Sequence, residues 1–294
     1  MASSRSPLVL QFSGSFTEQN GMEFRSLLVR VGADESSETV LRAACEVARR
    51  HDASVTGLFV IDVSAIAGFG AADVPPEIFE RQRERLQEEA VQAERIFSAA
   101  CANSDVEAEW RTVEGTTQWV VDLHARHCDL LCLGAARGGG RFLLDEDLIF
   151  STGRPVLVVP PEYAGAGIGD SVALAWNASR ESARAQGDAM GILRKATSVS
   201  VVTVADSSMS DRESDMIGID VGRFFARHGI HVEPYAVHPG HVPVGQALHD
   251  WVHENGVDLL VMGAYGHSRL LEMITGGVTH WMLRHATIPV LMSH

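Results

Sequence analysis

Asp129-Leu130-Leu131-Cys132-Leu133-Gly134-Ala135 returns later in the chain as Asp258-Leu259-Leu260-Val261-Met262-Gly263-Ala264. A second stretch, Arg154-Pro155-Val156-Leu157-Val158-Val159, returns in the same order as Ile288-Pro289-Val290-Leu291-Met292. Both are apolar runs of strand length. Their spacing far exceeds the ~20–50 residues of a solenoid repeat and so marks a duplicated domain. The boundary falls at Pro160-Pro161-Glu162-Tyr163-Ala164-Gly165-Ala166-Gly167, a proline- and glycine-rich linker. The predicted units are residues 24–160 and 168–294, after a weakly ordered tail over residues 1–23.

Within each half, strands alternate with helices. The first half reads as strands at Leu27–Val31, Ser54–Ile61, Val106–Thr112, Leu130–Leu133 and Val156–Val159. Its longest helix opens at Pro75-Pro76-Glu77 and carries a stripe of Phe79, Leu86, Ala90, Ala93 and Phe97. The second half reads as strands at Val172–Trp176, Val199–Val204, Val232–Val237, Leu259–Met262 and Pro289–Met292. Its helical stripes are Ile217, Val221, Phe224 and His228, then Val244, Leu248 and Val252. Apolar strands alternating with amphipathic helices predict βαβ units and a mainly parallel sheet. Each half is therefore a doubly wound α/β domain of five strands. The halves should superpose, and one continuous sheet is expected to count against the duplication.

Composition narrows the function. The 294 residues contain 38 Asp+Glu against 24 Lys+Arg, a formal net charge of −14. Such a surface repels phosphate backbones, which argues against nucleic acid as a partner. No apolar run is long enough to span a membrane. The only lysine is Lys195, so a Walker-type phosphate loop is excluded. Following Arg194 at a helix end, Lys195 is read as a solvated cation complementing the helix dipole. Cys45, Cys101, Cys128 and Cys132 form no C-x-x-C and read as reduced, mostly buried thiols of a cytoplasmic protein. The first twenty residues lack the hydrophobic run of a signal peptide.

Ligands of open α/β sheets sit beyond the carboxyl ends of the strands, where strand order reverses. In the second half the fourth strand empties into Gly263-Ala264-Tyr265-Gly266. After a further nine residues comes Gly276-Gly277-Val278-Thr279, opening a helix. Glycines admit an anion close to backbone N–H groups, and a helix N-terminus presents unsatisfied ones. Together the two loops can cradle a polyphosphate without lysine.

These residues, Met262-Gly263-Ala264-Tyr265-Gly266, the Gly276-Gly277-Val278-Thr279 run and the closing Pro289-Val290-Leu291, resemble the universal stress protein signature. The resemblance covers about residues 24–294 as two tandem copies. It implies Rossmann-like domains, a stress-response role and an adenine nucleotide, ATP with Mg, in the second half. The implied site is Trp176, Asn177, Val204, Met262, Gly263, Tyr265, Gly266, Gly276, Gly277, Val278 and Thr279. The two domains are implied to pair through their last strands, with a homodimer on top of that pseudo-dimer.

Departures are visible too. Gly277 stands where the family carries Ser or Thr, with Thr279 as the nearest substitute. Asn177 replaces an aspartate at the end of the first strand, and an amide is a poorer magnesium ligand. In the first half that position is Gly32, Arg137 replaces the second glycine, and Asp145-Glu146-Asp147 sets carboxylates near the phosphate position. The first half therefore reads as a degenerate partner domain. His249 and His253 are spaced to share a metal, and His124, His127, Cys128 and Cys132 cluster, but solvated helix faces account for both. With neither G-x-G-x-x-G nor G-x-S-x-G, no dinucleotide fingerprint or hydrolase nucleophile is seen. Three readings stay open: a nucleotide-binding sensor with at most slow ATP hydrolysis, a pseudo-dimeric interaction module without nucleotide, and an ATP α-hydrolase-type enzyme.

Overall fold

The computed structural model describes residues 23–34, 36–62, 76–135, 146–165, 167–204, 220–265 and 277–294. The expected N-terminal tail, residues 1–22 of it, lies outside them. So do Ile217, Arg137, Asp145, Gly266 and Gly276.

The first half runs β1 (Ser26–Arg30), α1 (Ser36–His51), β2 (Ser54–Ile61), α2 (Pro76–Ala102), β3 (Ala108–Glu114), α3 (Thr117–Ala125), β4 (Leu130–Gly134), α4 (Glu146–Ser151) and β5 (Val156–Val159). The second runs β6 (Ser171–Ala175), α5 (Arg180–Asp188), α6 (Met190–Leu193), β7 (Ser198–Val204), a helix α7 over residues 220–227, β8 (Glu233–Val237), α8 (Val244–Glu254), β9 (Leu259–Gly263), α9 (Val278–His285) and β10 (Val290–Ser293).

The ten strands of the described residues form one sheet in the order β3-β2-β1-β4-β5-β10-β9-β6-β7-β8. One continuous sheet is the arrangement expected to count against the duplication, yet the duplication stands, because the halves join through their last strands, β5 and β10, as the resemblance implies. Read outward from the middle, each half repeats the same order, with β1 matched by β6 and β5 by β10. Pairs within each half are parallel, and β5–β10 alone is antiparallel. There Leu157 faces Leu291, Val156 faces Met292 and Val158 faces Val290. Leu157 and Leu291 are matching residues of the repeat, so a local twofold axis passes between them. Each terminal strand would otherwise expose its hydrogen-bonding edge, and pairing the two edges removes that liability.

Side chains alternate across the sheet and supply two cores. Leu27, Val29, Leu157 and Leu291 pack with α1, α2, α5, α6 and α7 on one face, while Leu28, Val156, Val158 and Met292 pack with α3, α4, α8 and α9 on the other. The α2 stripe buries Leu86, Ala90, Ala93 and Phe97 as expected. The α7 stripe is rotated: Val221 and Phe225 are buried, whereas Phe224 stacks outward on His228. Val244 of α8 is exposed, and Leu248 and Val252 carry that contact. The edge strand β3 starts two residues later than expected, and β8 one later. Both edges are mostly exposed, so no buried face sharpens their limits.

The repeated aspartates are structural. Asp129 accepts from the backbone N–H groups of Arg25 and Ser26, and Asp258 accepts from those of Gly169, Asp170 and Ser171. Each ties the start of its strand to the start of the neighbouring one. Lys195 is exposed, as read, and its Nζ donates to the Arg50 carbonyl at the end of α1, at 2.7 Å. In return Arg50 donates to the carbonyls of Ile168, Gly169 and Lys195 and pairs with Asp170 at 2.7 Å. The lysine does complement a helix C-terminus, but that of a helix in the other half.

Next to this tie His51 is 2% exposed, packs edge-on to Phe24, and its Nδ1 has no hydrogen-bond partner. Burial, reinforced by Lys195, Arg50 and Arg25, lowers its pKa from 6.5 to about 4. The unfolded chain thus binds the proton more readily. This stability is complete above pH 6.5 and is lost as pH falls through 4. The expected loss is about 3 kcal/mol, and urea midpoints measured across that interval should flatten in His51→Leu. An unchanged slope in the variant would assign the acid sensitivity to other groups.

Candidate functional site

In the second half β6 lies between β7 and β9, and the chain runs β6-β7-β8 to one side before crossing to β9 and β10 on the other. The switch point is between β6 and β9. There Ala175 pairs with Met262, which brings Trp176 and Asn177 beside Gly263.

After β6 the chain turns sharply into α5. Asn177 is exposed and its side-chain oxygen accepts from Ser179 N–H at 3.1 Å; Ala178 takes φ +58°. Ser179 caps the helix, its Oγ accepting from Ser182 N–H at 3.1 Å. The Asn177 oxygen is thus engaged locally, which leaves two amide donors for a ligand hydroxyl. Trp176 is half-buried, and its backbone N–H donates to the Val202 carbonyl. Val204, at the end of β7, is also half-buried.

On the other side of the switch point, Met262 is buried in the core. Gly263 has a role beyond the expected close approach to a phosphate. A Cβ there would lie 2.5 Å from backbone atoms of Glu181 and Ser182, so the glycine admits the first turn of α5. Tyr265 takes φ +56°, a left-handed conformation that is costly for a bulky residue. Two contacts hold it: its N–H donates to Thr279 Oγ at 3.1 Å, and its ring packs on Phe150 with centroids 4.3 Å apart. Thr279 is 2% exposed. Its hydroxyl is therefore a brace for the loop and does not stand in on the surface for the hydroxyl missing at Gly277.

Helix α9 supplies the positive end of a dipole. Its N-cap is Gly277, with no side-chain cap, so the N–H groups of the first turn receive no side-chain acceptor there. Val278 is half-buried at its first position. The first half is built differently. Its short α4 carries Asp147 in its first turn, a carboxylate that complements the helix dipole and repels an anion. At the end of β1, Gly32 N–H donates to Ser37 Oγ at 2.8 Å.

Among the described residues Glu181, 3% exposed, is a carboxylate packed against Gly263. Burial alone would raise it, but Arg180, its own N–H and Ser179 together hold it below the usual carboxylate range. Among the described residues no group of three His, Cys, Asp or Glu is placed to hold a metal. His249 and His253 pack ring to ring, and His253 Nε2 hydrogen-bonds Thr287 Oγ at 2.5 Å. Three neighbours of the site are invisible in the motif spacing: Ser179, Glu181 and Phe150. The cap before α5 is a signal that could have found Ser179, whereas Phe150 comes from the other half and has none.

The description "Universal stress protein family" belongs to a family model that matches residues 23–160 and again residues 172–294. The chain belongs to this family. A universal stress protein from Archaeoglobus fulgidus shares the fold at a TM-score of 0.70 with 17% identity, covering 91% of this chain and 95% of that one. A structure from Pseudomonas aeruginosa UCBPP-PA14, titled as a universal stress protein, matches at 0.60 with 14% identity over 92% and 93% of the two chains. A curated universal stress protein of Synechocystis is 44% identical over 46 residues, a stretch spanning 16% of each chain. This universal stress protein carries both copies in one polypeptide. Among its described residues no helix is long and apolar enough to cross a membrane.

Proposed function

We propose that the second half binds one adenine nucleotide, ATP in the first instance, and that the protein is a cytoplasmic stress-response binding module. The observation that carries this reading is the N-terminus of α9, whose cap residue Gly277 brings no side chain, beside Tyr265 with its left-handed backbone at the β6–β9 switch point. Phosphates are met by backbone N–H groups, and the Asn177 amide is in place for a ribose hydroxyl. A magnesium ion would arrive on the phosphates, because the described residues build no metal cage of their own. The implied homodimer would need a surface other than β5 and β10, since those strands already pair within the chain.

Calorimetry of the full chain with ATP and magnesium is expected to give one site. Two equal sites would overturn the assignment to the second half, and no binding would favour the interaction-module reading. Rapid turnover is not expected. Backbone N–H groups bind ground-state phosphates, but without a positioned cation or nucleophile-orienting group they favour the transition state little. Phosphate release should fall well below the usual ~1–10³ per second, in wild type and in Asn177→Asp alike. A wild-type rate inside that range would make the protein a hydrolase.

A further inference from the structure

Cys45 lies in α1 and Cys101 at the end of α2, where the two helices pack across one face of the sheet. Their sulfur atoms are 3.9 Å apart and share a hydrogen bond. A cavity of about 290 Å³ has Cys45 in its wall, together with Arg42, Glu46, Arg49, Ser104 and Asp105. Arg42 and Arg49 are three residues before and four after Cys45, so they flank it on one helix face. Arg49 also pairs with Glu46 at 2.8 Å. This cavity is separate from the nucleotide site: it is bounded by α1, the turn after α2 and the linker residues Tyr163 and Gly165.

The four thiols are not alike. The hydrogen bond shared with Cys101, with help from Ser104, holds the Cys45 thiol below its ordinary value against the opposing effect of burial, and the same shared bond raises Cys101. Burial pushes Cys128 up to about 12 and Cys132 well above the ordinary thiol value. A thiolate is the reactive form, and oxidation follows thiolate character and access. Cys45 is buried, 3% exposed, so a reagent reaches it only through the cavity whose wall it forms, and a second sulfur stands beside it.

We propose that Cys45 and Cys101 form a peroxide-reactive dithiol, in which Cys45 reacts with a hydroperoxide entering the cavity and Cys101 then closes a disulfide between α1 and α2. In the first step the Cys45 sulfur attacks one peroxide oxygen. The S–O bond forms as the O–O bond breaks, and the leaving oxygen takes the electron pair and a proton, departing as water when the oxidant is hydrogen peroxide. Cys45 is then a sulfenic acid. In the second step the Cys101 sulfur gives up its proton and attacks the Cys45 sulfur. The S–S bond forms, the S–O bond breaks, and the hydroxide leaves with that proton as a second water. Two thiols are oxidised and one peroxide is reduced. The sulfurs must close from 3.9 Å to about 2 Å, which side-chain rotation across the helix contact has to supply.

The test treats the reduced full-length protein with hydrogen peroxide, alkylates the remaining thiols after unfolding, and maps the peptides by mass spectrometry. The expected product bridges Cys45 to Cys101, with Cys128 and Cys132 alkylated. In Cys101→Ser the reaction should stop at a Cys45 sulfenic acid that dimedone traps. In Cys45→Ser, Cys101 should remain a thiol and peroxide consumption should fall at least about tenfold. Recovery of all four thiols from the wild type overturns the proposal without relying on any variant. So does a bridge through Cys128 or Cys132, or undiminished consumption by Cys45→Ser.

Discussion

Gly263→Ala should lower the unfolding free energy by about 2–3 kcal/mol, whereas Gly134→Ala, its counterpart in the repeat, should cost less than about 1 kcal/mol. The added methyl at residue 263 would sit 2.5 Å from the Glu181 carbonyl carbon and the Ser182 nitrogen. Those are backbone atoms in the first turn of α5, so relief requires the helix itself to move. At residue 134 the neighbour is one methyl of Val40 at 3.1 Å, which a side-chain adjustment relieves. The first turn of α5 lies directly on the strand, and glycine at 263 is what that close approach demands. Urea midpoints of the two variants make the comparison, and equal shifts would refute it.

Gly277→Asp is expected to weaken ATP binding roughly a hundredfold without lowering the melting temperature of the free protein. Gly277 has φ −52° and ψ 164°, a backbone that any residue adopts, so the new side chain imposes no strain. An aspartate there would cap α9 and satisfy N–H groups that the proposed site offers to phosphate. It also adds repulsion: two like charges about 5 Å apart at an effective dielectric near 20 cost about 3 kcal/mol, or roughly two decades of affinity. Gly277→Ser separates capping from charge. It restores the hydroxyl that the family signature implies at this position, and should leave affinity equal or higher. Calorimetry on both variants, beside their thermal melts, decides the matter. An aspartate variant binding as well as wild type would place the phosphates elsewhere.

Much of the fold was legible in the chain because buried strands and amphipathic helices have different periods. The DLLCLGA and DLLVMGA runs identified β4 and β9, and the Pro-Val-Leu runs identified β5 and β10. The places where this reading slipped share a cause. Edge strands β3 and β8 bury little, and α7 carries adjacent apolar residues, Phe224 and Phe225, so periodicity alone did not choose the inward one. Motif spacing also located the loops after β6 and β9, because they follow strands that the pattern already placed. It did not distinguish a glycine that receives a ligand from one that receives a helix.

By itself, then, the order of residues determined the duplication, the mainly parallel five-stranded plan of each half and the end of the sheet at which the glycine loops lie. Those features follow from local pattern and from repetition. The residue pattern alone did not decide how the halves join, because a strand pattern does not say which edge remains open. The resemblance implied pairing through the last strands, and the tertiary structure fixed its register. It paired Leu157 with Leu291 across a local twofold axis, tied Lys195 and Arg50 between the halves, and placed Phe150 of one half over Tyr265 of the other. Contacts between residues more than a hundred positions apart come from the closing of the ten-stranded sheet, and no local period encodes them.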